Sequence, residues 1–268
     1  MRDAEEALRQ QDLDLARTNY WVAVRLDPLN TIARMRLGLI LKQQGQHYYE
    51  ALEEFTTVTK LAPDYGEAWK EKGVVEGQIA RVIPEDKRPD WLPNGRTSLE
   101  RATRLTPDDF DAWASLGGVF KNVICDNAKA LDLYRHAFSI SDGHAYPLLN
   151  ALKLEALATG KLDLKGMTAE LDAAEEMRRA QASTDPPTDA PWSLFDVAEL
   201  RLYRNDETGF LDFLKKGLKT CEFDWQISTF HDSLKNTLVE KGIDLPGLGT
   251  GIRILAEEKS KFAKKQKQ

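Results

Sequence analysis

The side chains best suited to nucleophilic or acid–base work are four histidines, His47, His136, His144 and His231, and two cysteines, Cys125 and Cys221. Their spacing supports neither kind of chemistry. No histidine stands with a Ser, Cys or carboxylate in a nucleophile motif, although a triad assembled in space would leave no such trace. There is no His-Glu-x-x-His helix, Walker loop or dinucleotide fingerprint, so neither catalysis nor a cofactor is expected. The cysteines lie far apart without partners at metal-ligand spacing, which points away from zinc and from a disulfide framework. The spacing that does suggest chemistry belongs to cations and amides. Lys70, Gln78 and Arg81 fall on or near one side of a predicted helix. Asp111, Ala114, Gly118 and Lys121, with Asn122 beside them, share a face of the next, and Tyr146, Leu149 and Lys153, with Asn150 at the edge, share a face of a third. A cationic, hydrogen-bonding stripe of this kind suits a phosphate, a carboxylate or an acidic peptide. The alternative is an ordinary solvated helix face. A weaker catalytic reading would gather Asp196, Glu199, Arg201 and His231 into a polar pocket, but these are more simply expected on a helix surface.

The elements that position these residues follow from composition and periodicity. With 42% hydrophobic and 30% charged residues, the 268-residue chain can fill a core and solvate a large surface. A formal charge of −6 and a pI near 5.4 give no long-range attraction for nucleic acid or anionic lipid. No apolar run approaches the roughly 20 residues that span a bilayer, and no signal core follows the N-terminus. A reducing, cytoplasmic setting is expected.

Four segments stop helices in the same way: Leu26-Asp27-Pro28, Leu61-Ala62-Pro63, Leu105-Thr106-Pro107 and Ile140-Ser141-Asp142. Their last residues are 35, 44 and 35 positions apart, and a step near 34 marks paired-helix repeats. Behind the stops lie stripes of small, large and small residues: Ala16, Tyr20 and Ala23; Ala51, Phe55 and Val58; Ala130, Tyr134 and Ala137. Such stripes let two helices cross closely. Ahead of them, Trp69 and Gly73 recur as Trp113 and Gly117, and Leu37-Gly38 recurs as Leu116-Gly117; both tryptophans are expected in the core.

These registers resemble the tetratricopeptide family over at least Ala4 to Ala158. The resemblance implies an all-α, right-handed superhelical solenoid of antiparallel helix pairs, with the cationic stripes on its concave surface. The expected organisation is repeats over 1–160, degenerate helices of the same solenoid over 161–245, and a Gly-rich stop, capping helix and basic tail over 246–268. The first repeat reads as truncated, as in a domain excised from a longer protein or following another module. The insertion at 83–95 carries Pro84, Pro89 and Pro93 and reads as a loop, in which Trp91 is either a partner anchor or tucked back onto the array. Leu162 to Ala182 reads as one long helix, Leu245 to Gly251 as a flexible stop, and Lys259, Lys261, Lys264, Lys265 and Lys267 as a solvated tail.

A narrower resemblance rests on Leu116 to Asn122, Ala130 to Phe138, Tyr146 to Ala151, Trp192 to Asp206 and Asp224 to Thr229. These segments look like the sensor-type tetratricopeptide domain found beside bacterial conflict-system effectors and in the TRAF-binding region of apoptosis-signalling kinases. By position Lys121, Tyr146, Pro147 and Asn150 match that branch; Gly118 replaces its arginine and Asn122 its aspartate. The resemblance implies a non-catalytic regulatory module that holds a protein partner or a small anionic, nucleotide-like ligand and controls an attached effector. The arginine's loss removes a fork-like donor for anions. The other reading is a plain scaffold for a peptide or helix. A chaperone-tail clamp is disfavoured, because Val74 stands where such a clamp needs asparagine one turn after Lys70.

Overall fold

The computed structural model describes residues 1–89 and 92–265, and among them every regular element is helical. The chain divides into two compact units, 1–133 and 134–268, and the division falls within helix α8 (Asn127–Ser139).

The first unit opens with α1 (Arg2–Arg9), α2 (Leu13–Leu26), α3 (Thr31–Gln44), α4 (Tyr48–Leu61) and α5 (Gly66–Val82), followed by α6 (Arg96–Leu105) and α7 (Phe110–Val119). Asp12, Asn30 and Asp109 cap α2, α3 and α7 by accepting from backbone N–H groups two or three residues on. At the C-termini the residue before each proline leaves helical geometry: Asp27, Ala62 and Thr106 have φ of −134°, −134° and −132°. Proline's ring forces this on its predecessor, so the stop sits at the same point of each repeat.

The small-large-small stripes pack as expected. Ala16, Tyr20, Ala51, Phe55 and Val58 are buried in one cluster with Met35, Leu37, Ile40, Val75 and Ile79. The repeated glycines make room for the large member: a Cβ on Gly38 would lie 2.7 Å from the Phe55 ring, and one on Gly73 2.6 Å from Leu99. Within the 83–95 insertion, Glu85–Lys87 form a 3-10 turn, and Arg88 donates to the Ala80 and Ile83 carbonyls at 2.8 and 3.3 Å, which ties the segment to α5. Trp91 lies outside the described residues.

Trp69 and Trp113 depart from expectation. Both are half-buried, and their indole N–H groups donate to the carbonyls of Pro63 and Pro107 at 2.8 and 2.9 Å. In the first repeat Arg34 does the same, donating from Nε to the Pro28 carbonyl at 2.8 Å. Each turn is thus closed by a side chain six residues beyond its proline, a clamp for which the rings reach back over the turn instead of into the core.

The second unit contains α9 (Ala145–Thr159), α10 (Thr168–Ala182), α11 (Trp192–Tyr203), α12 (Glu207–Lys219), α13 (Asp224–Thr237) and α14 (Leu248–Lys265). Its core is one cluster that includes Leu148, Leu152, Leu200, Leu234 and Leu255, with Phe195 and Phe230 stacked at 4.4 Å. Two sequence expectations change here. The stretch 162–167 is non-helical, so α10 starts at Thr168. The glycine run is not a flexible stop, because Leu248 to Gly251 already form the first turn of α14. A Cβ on Gly251 would lie 2.5 Å from the Phe210 ring, so the glycine lets α14 approach α12. Of the tail, Lys261 pairs with Glu258 at 2.5 Å, while Lys259 comes within 4.0 Å of Asp232. Lys267 lies outside the described residues.

Candidate functional site

In the first unit, the predicted stripe on α5 separates into unlike members. Lys70 is largely buried, and its Nζ donates to Asp109 Oδ2 at 2.9 Å and lies 3.2 Å from Asp111 Oδ2. Burial alone would lower its pKa, but the two carboxylates outweigh it and the ammonium is held more firmly protonated than usual. Its charge is spent joining α5 to the start of α7, which corrects its assignment as a groove residue open to an anion. Gln78 is half-buried and Arg81 exposed, one turn apart. Beyond α7 the helix loosens into a π-helical turn, Phe120–Ile124, closed by Cys125 in the left-handed region at φ 62°. Lys121 and the exposed Asn122 stand in that turn, and the Arg96 guanidinium lies 5.4 Å from the Phe120 ring centroid. Ala114, by contrast, is fully buried.

In the second unit, Tyr146 packs edge-on against Tyr134 at 6.2 Å, and Asn150 donates to the Tyr146 carbonyl one turn back at 2.9 Å. Lys153 is 4% exposed and donates to Glu199 Oε2 at 2.9 Å, so it too is an internal group and not a groove cation. Glu199, 1% exposed, also accepts from the Tyr203 hydroxyl. Beside this pair, Arg178 donates to Asp196 at 2.7 Å, to Asp189 at 2.8 Å and to Gln181 at 2.6 Å, and is itself 2% exposed. Burial pushes the Asp196 carboxyl up to about 6, against the pull of Arg178.

Asp196 and Glu199 are therefore interior residues of α11 and not the helix surface expected from sequence. Arg201 pairs instead with Glu175 and with Asp206 at 3.0 Å, while His231 on α13 bonds its neighbour Asp232 at 2.8 Å. These contacts set each of the four side chains Asp196, Glu199, Arg201 and His231 against a partner within the unit. No cluster of three or more metal-ligating side chains occurs among the described residues.

Sequence reasoning missed a cleft of about 490 Å³ in the first unit. Trp21 and Arg17 of α2 form one wall, Leu37 and Leu41 of α3 the floor, and Glu50, Glu53 and Glu54 of α4 the other wall. Arg17 donates to Gln44 Oε1 at 2.9 Å and lies 3.2 Å from His47 Nε2 and 3.3 Å from Asp14. Glu54 pairs with Arg34 at 2.6 Å, and Glu50 with His47 at 3.2 Å. Its own backbone N–H and His47 hold the Glu50 carboxyl below the ordinary range. Trp21 is 50% exposed, and Arg25 lies 4.7 Å from its ring centroid. The available signal was an aromatic residue on the polar side of α2, next in sequence to Tyr20 and about 100° around the helix from the stripe Ala16-Tyr20-Ala23.

Residues 2–47 match the family model of the tetratricopeptide repeat. Among solved structures the chain is similar to a crystal structure of MamA, at 21% identity over 69% of this chain and 99% of that one, with a TM-score of 0.52. It is also similar to the MamA RS-1 ArsTM double mutant, at 19% identity over 68% and 93%, with a TM-score of 0.52. Comparison with curated proteins gives no match. At these identities the likeness is one of fold, an all-α array of helix pairs as expected, and the tetratricopeptide match itself is confined to residues 2–47. The matches carry this general repeat and not the narrower sensor-type branch. Among the described residues, no helix is long and apolar enough to cross a membrane.

Proposed function

We propose that the chain is a non-catalytic interaction module whose protein partner docks on the 1–133 unit. One observation carries this reading. Among the described residues, the large apolar side chains left exposed, including Trp21, Leu26, Leu29, Ile32 and Val82, lie in that unit, and Val239 alone lies in the other. Exposed apolar side chains gathered in one region mark contact surfaces more often than scattered ones do. Photo-crosslinking tests the reading directly. A crosslinking amino acid at Leu29 should give discrete protein adducts in the native host, and the same group at Lys216 in the second unit should give none. Adducts of equal yield at both positions would sink it.

A second, finer reading is the regulatory sensor, in which a small anionic or nucleotide-like ligand biases an attached or associated effector. It is supported by Lys121 and Asn122 in a π-helical turn, a distortion common at functional sites. It also requires the ligand to bind two states of the protein unequally. Native mass spectrometry of protein from its own host should then show a small-molecule adduct that disappears on denaturation and in Lys121→Ala. A clean mass leaves the scaffold reading alone.

A further inference from the structure

We infer that the cleft between α2 and α4 docks a basic, amphipathic helix of a partner protein, with an apolar side chain on the Leu37–Leu41 floor and Lys or Arg side chains against Glu50 and Glu53. The inference rests on the interaction-module reading and specifies the partner's chemistry. Three features of the cleft converge on it.

The first is charge. The lining residues carry three carboxylates against one cation. Arg17 is already engaged by Gln44, His47 and Asp14, and Arg34 neutralises only Glu54. Among the described residues none pairs with the exposed Glu53 side chain, and Glu50 has only a histidine for company. An acidic wall with this residual charge attracts a cation and repels an acidic peptide. The second feature is the apolar part. Trp21 stays half exposed beside a floor of two leucines, and a tryptophan bordering a concave site is the residue type that most often anchors an interface. The third is extent. About 490 Å³ is within the range of side-chain and ligand pockets. From the cleft, exposed apolar residues continue along α2 at Val22 and Leu26. Arg17 and Leu26 are roughly 14 Å apart at 1.5 Å per residue, a length of contact that fits between two and three turns of a partner helix.

The test uses the full chain and fluorescence anisotropy with a labelled 14-residue peptide of leucine and lysine at helical spacing. A matched peptide carries glutamate for each lysine, and spermine serves as competitor. The lysine peptide should bind, more weakly as salt rises, and the glutamate peptide should bind at least about ten-fold more weakly. Trp21→Ala should weaken binding about 30-fold. Glu53→Gln should weaken it about 2- to 5-fold, and Glu176→Gln, the same charge change on α10, should leave it unchanged. Comparable loss in Glu176→Gln, equal binding of the two peptides, full binding by Trp21→Ala, or displacement by spermine alone would each overturn the inference. If the lysine peptide fails to bind while crosslinks at Leu29 persist, the partner chemistry is wrong and the interaction module stands; if the crosslinks also vanish, both readings fall.

Discussion

The two units differ in what they leave exposed and in how they bury charge. In 1–133 two carboxylates of α5 are buried, Glu76 with Ser98 and Lys72 and Glu71 with Lys42, other charges pair nearer the surface as in Arg34 with Glu54, and large apolar side chains are left outside. In 134–268 Val239 is the one large apolar side chain left exposed among the described residues, while the cations Lys153 and Arg178 lie inside the fold with Glu199. A repeat held by a simple stripe can leave apolar residues over for contact. A unit whose helices have lost the repeat must specify its packing by other means, and a buried ionic network that tolerates one arrangement is one such means. The contrast is what the proposed docking on the first unit predicts, with conformational specificity carried by the second.

The largest expected effect breaks the second half of that contrast. Glu199→Ala leaves the Lys153 ammonium buried without its carboxylate and the Tyr203 hydroxyl without its acceptor, and should cost about 3–5 kcal/mol in urea denaturation. The double replacement Lys153→Met with Glu199→Leu should recover most of that loss, because an apolar pair needs no compensation. If the single mutant is mild, the network is not what specifies the packing.

A pH dependence follows from Asp196. Burial raises its carboxyl to about 6, so between about pH 4 and pH 6 the folded chain holds a proton there that the unfolded chain has released. The contribution of this side chain is therefore greatest below about pH 4 and falls as pH rises through 6, by roughly 2–3 kcal/mol. Denaturation of wild type and Asp196→Asn between pH 4 and pH 7.5 isolates this group. The stability of wild type relative to the mutant should decline across the window and level off above it. A flat difference would mean that Arg178 compensates the carboxylate fully.

The fold was legible where one repeat repeated another. The stripe Ala51-Phe55-Val58 and the stops before Pro28, Pro63 and Pro107 each had counterparts one repeat away, 35 residues on or 44 across the insertion, and the structure builds them alike. Periodicity gives the face of a helix but not the depth of a side chain, which is why Trp69 and Trp113 read as core and prove to be turn clamps. Nor does it show a partner far along the chain. Lys70 finds Asp109 39 residues away and Lys153 finds Glu199 46 away, so two cations that looked open to a ligand are internal. The cleft at Trp21 was invisible for a related reason: its two walls belong to different helix pairs, and no single stripe contains it.

The turn clamps give a prediction of intermediate size that sharpens the first half of the comparison. Trp113→Ala removes a half-buried indole and one hydrogen bond to the Pro107 carbonyl, and should cost about 2 kcal/mol instead of the larger loss of a core tryptophan. Since Arg34 closes the equivalent turn through its Nε, Trp69→Arg should be tolerated better than Trp69→Ala in a thermal melt. The reverse order would show that ring packing, and not the bond to the carbonyl, holds the turn.

The smallest effect belongs to Lys121 and Asn122. Asn122 is exposed, and Lys121 occupies a turn whose backbone is already loosened from α-helical pairing. Replacing the exposed Asn122 with Ala should change stability by no more than about 0.5 kcal/mol, and the double mutant with Lys121→Ala should still unfold cooperatively in urea. That neutrality makes the pair informative about binding. Should the crosslinked partner still dock on the double mutant while Trp21→Ala abolishes its docking, recognition belongs to the α2–α4 cleft and the predicted groove plays no part. Should the double mutant alone lose the partner, the π-helical turn is the recognition element, and the apolar residues exposed across the first unit need another explanation.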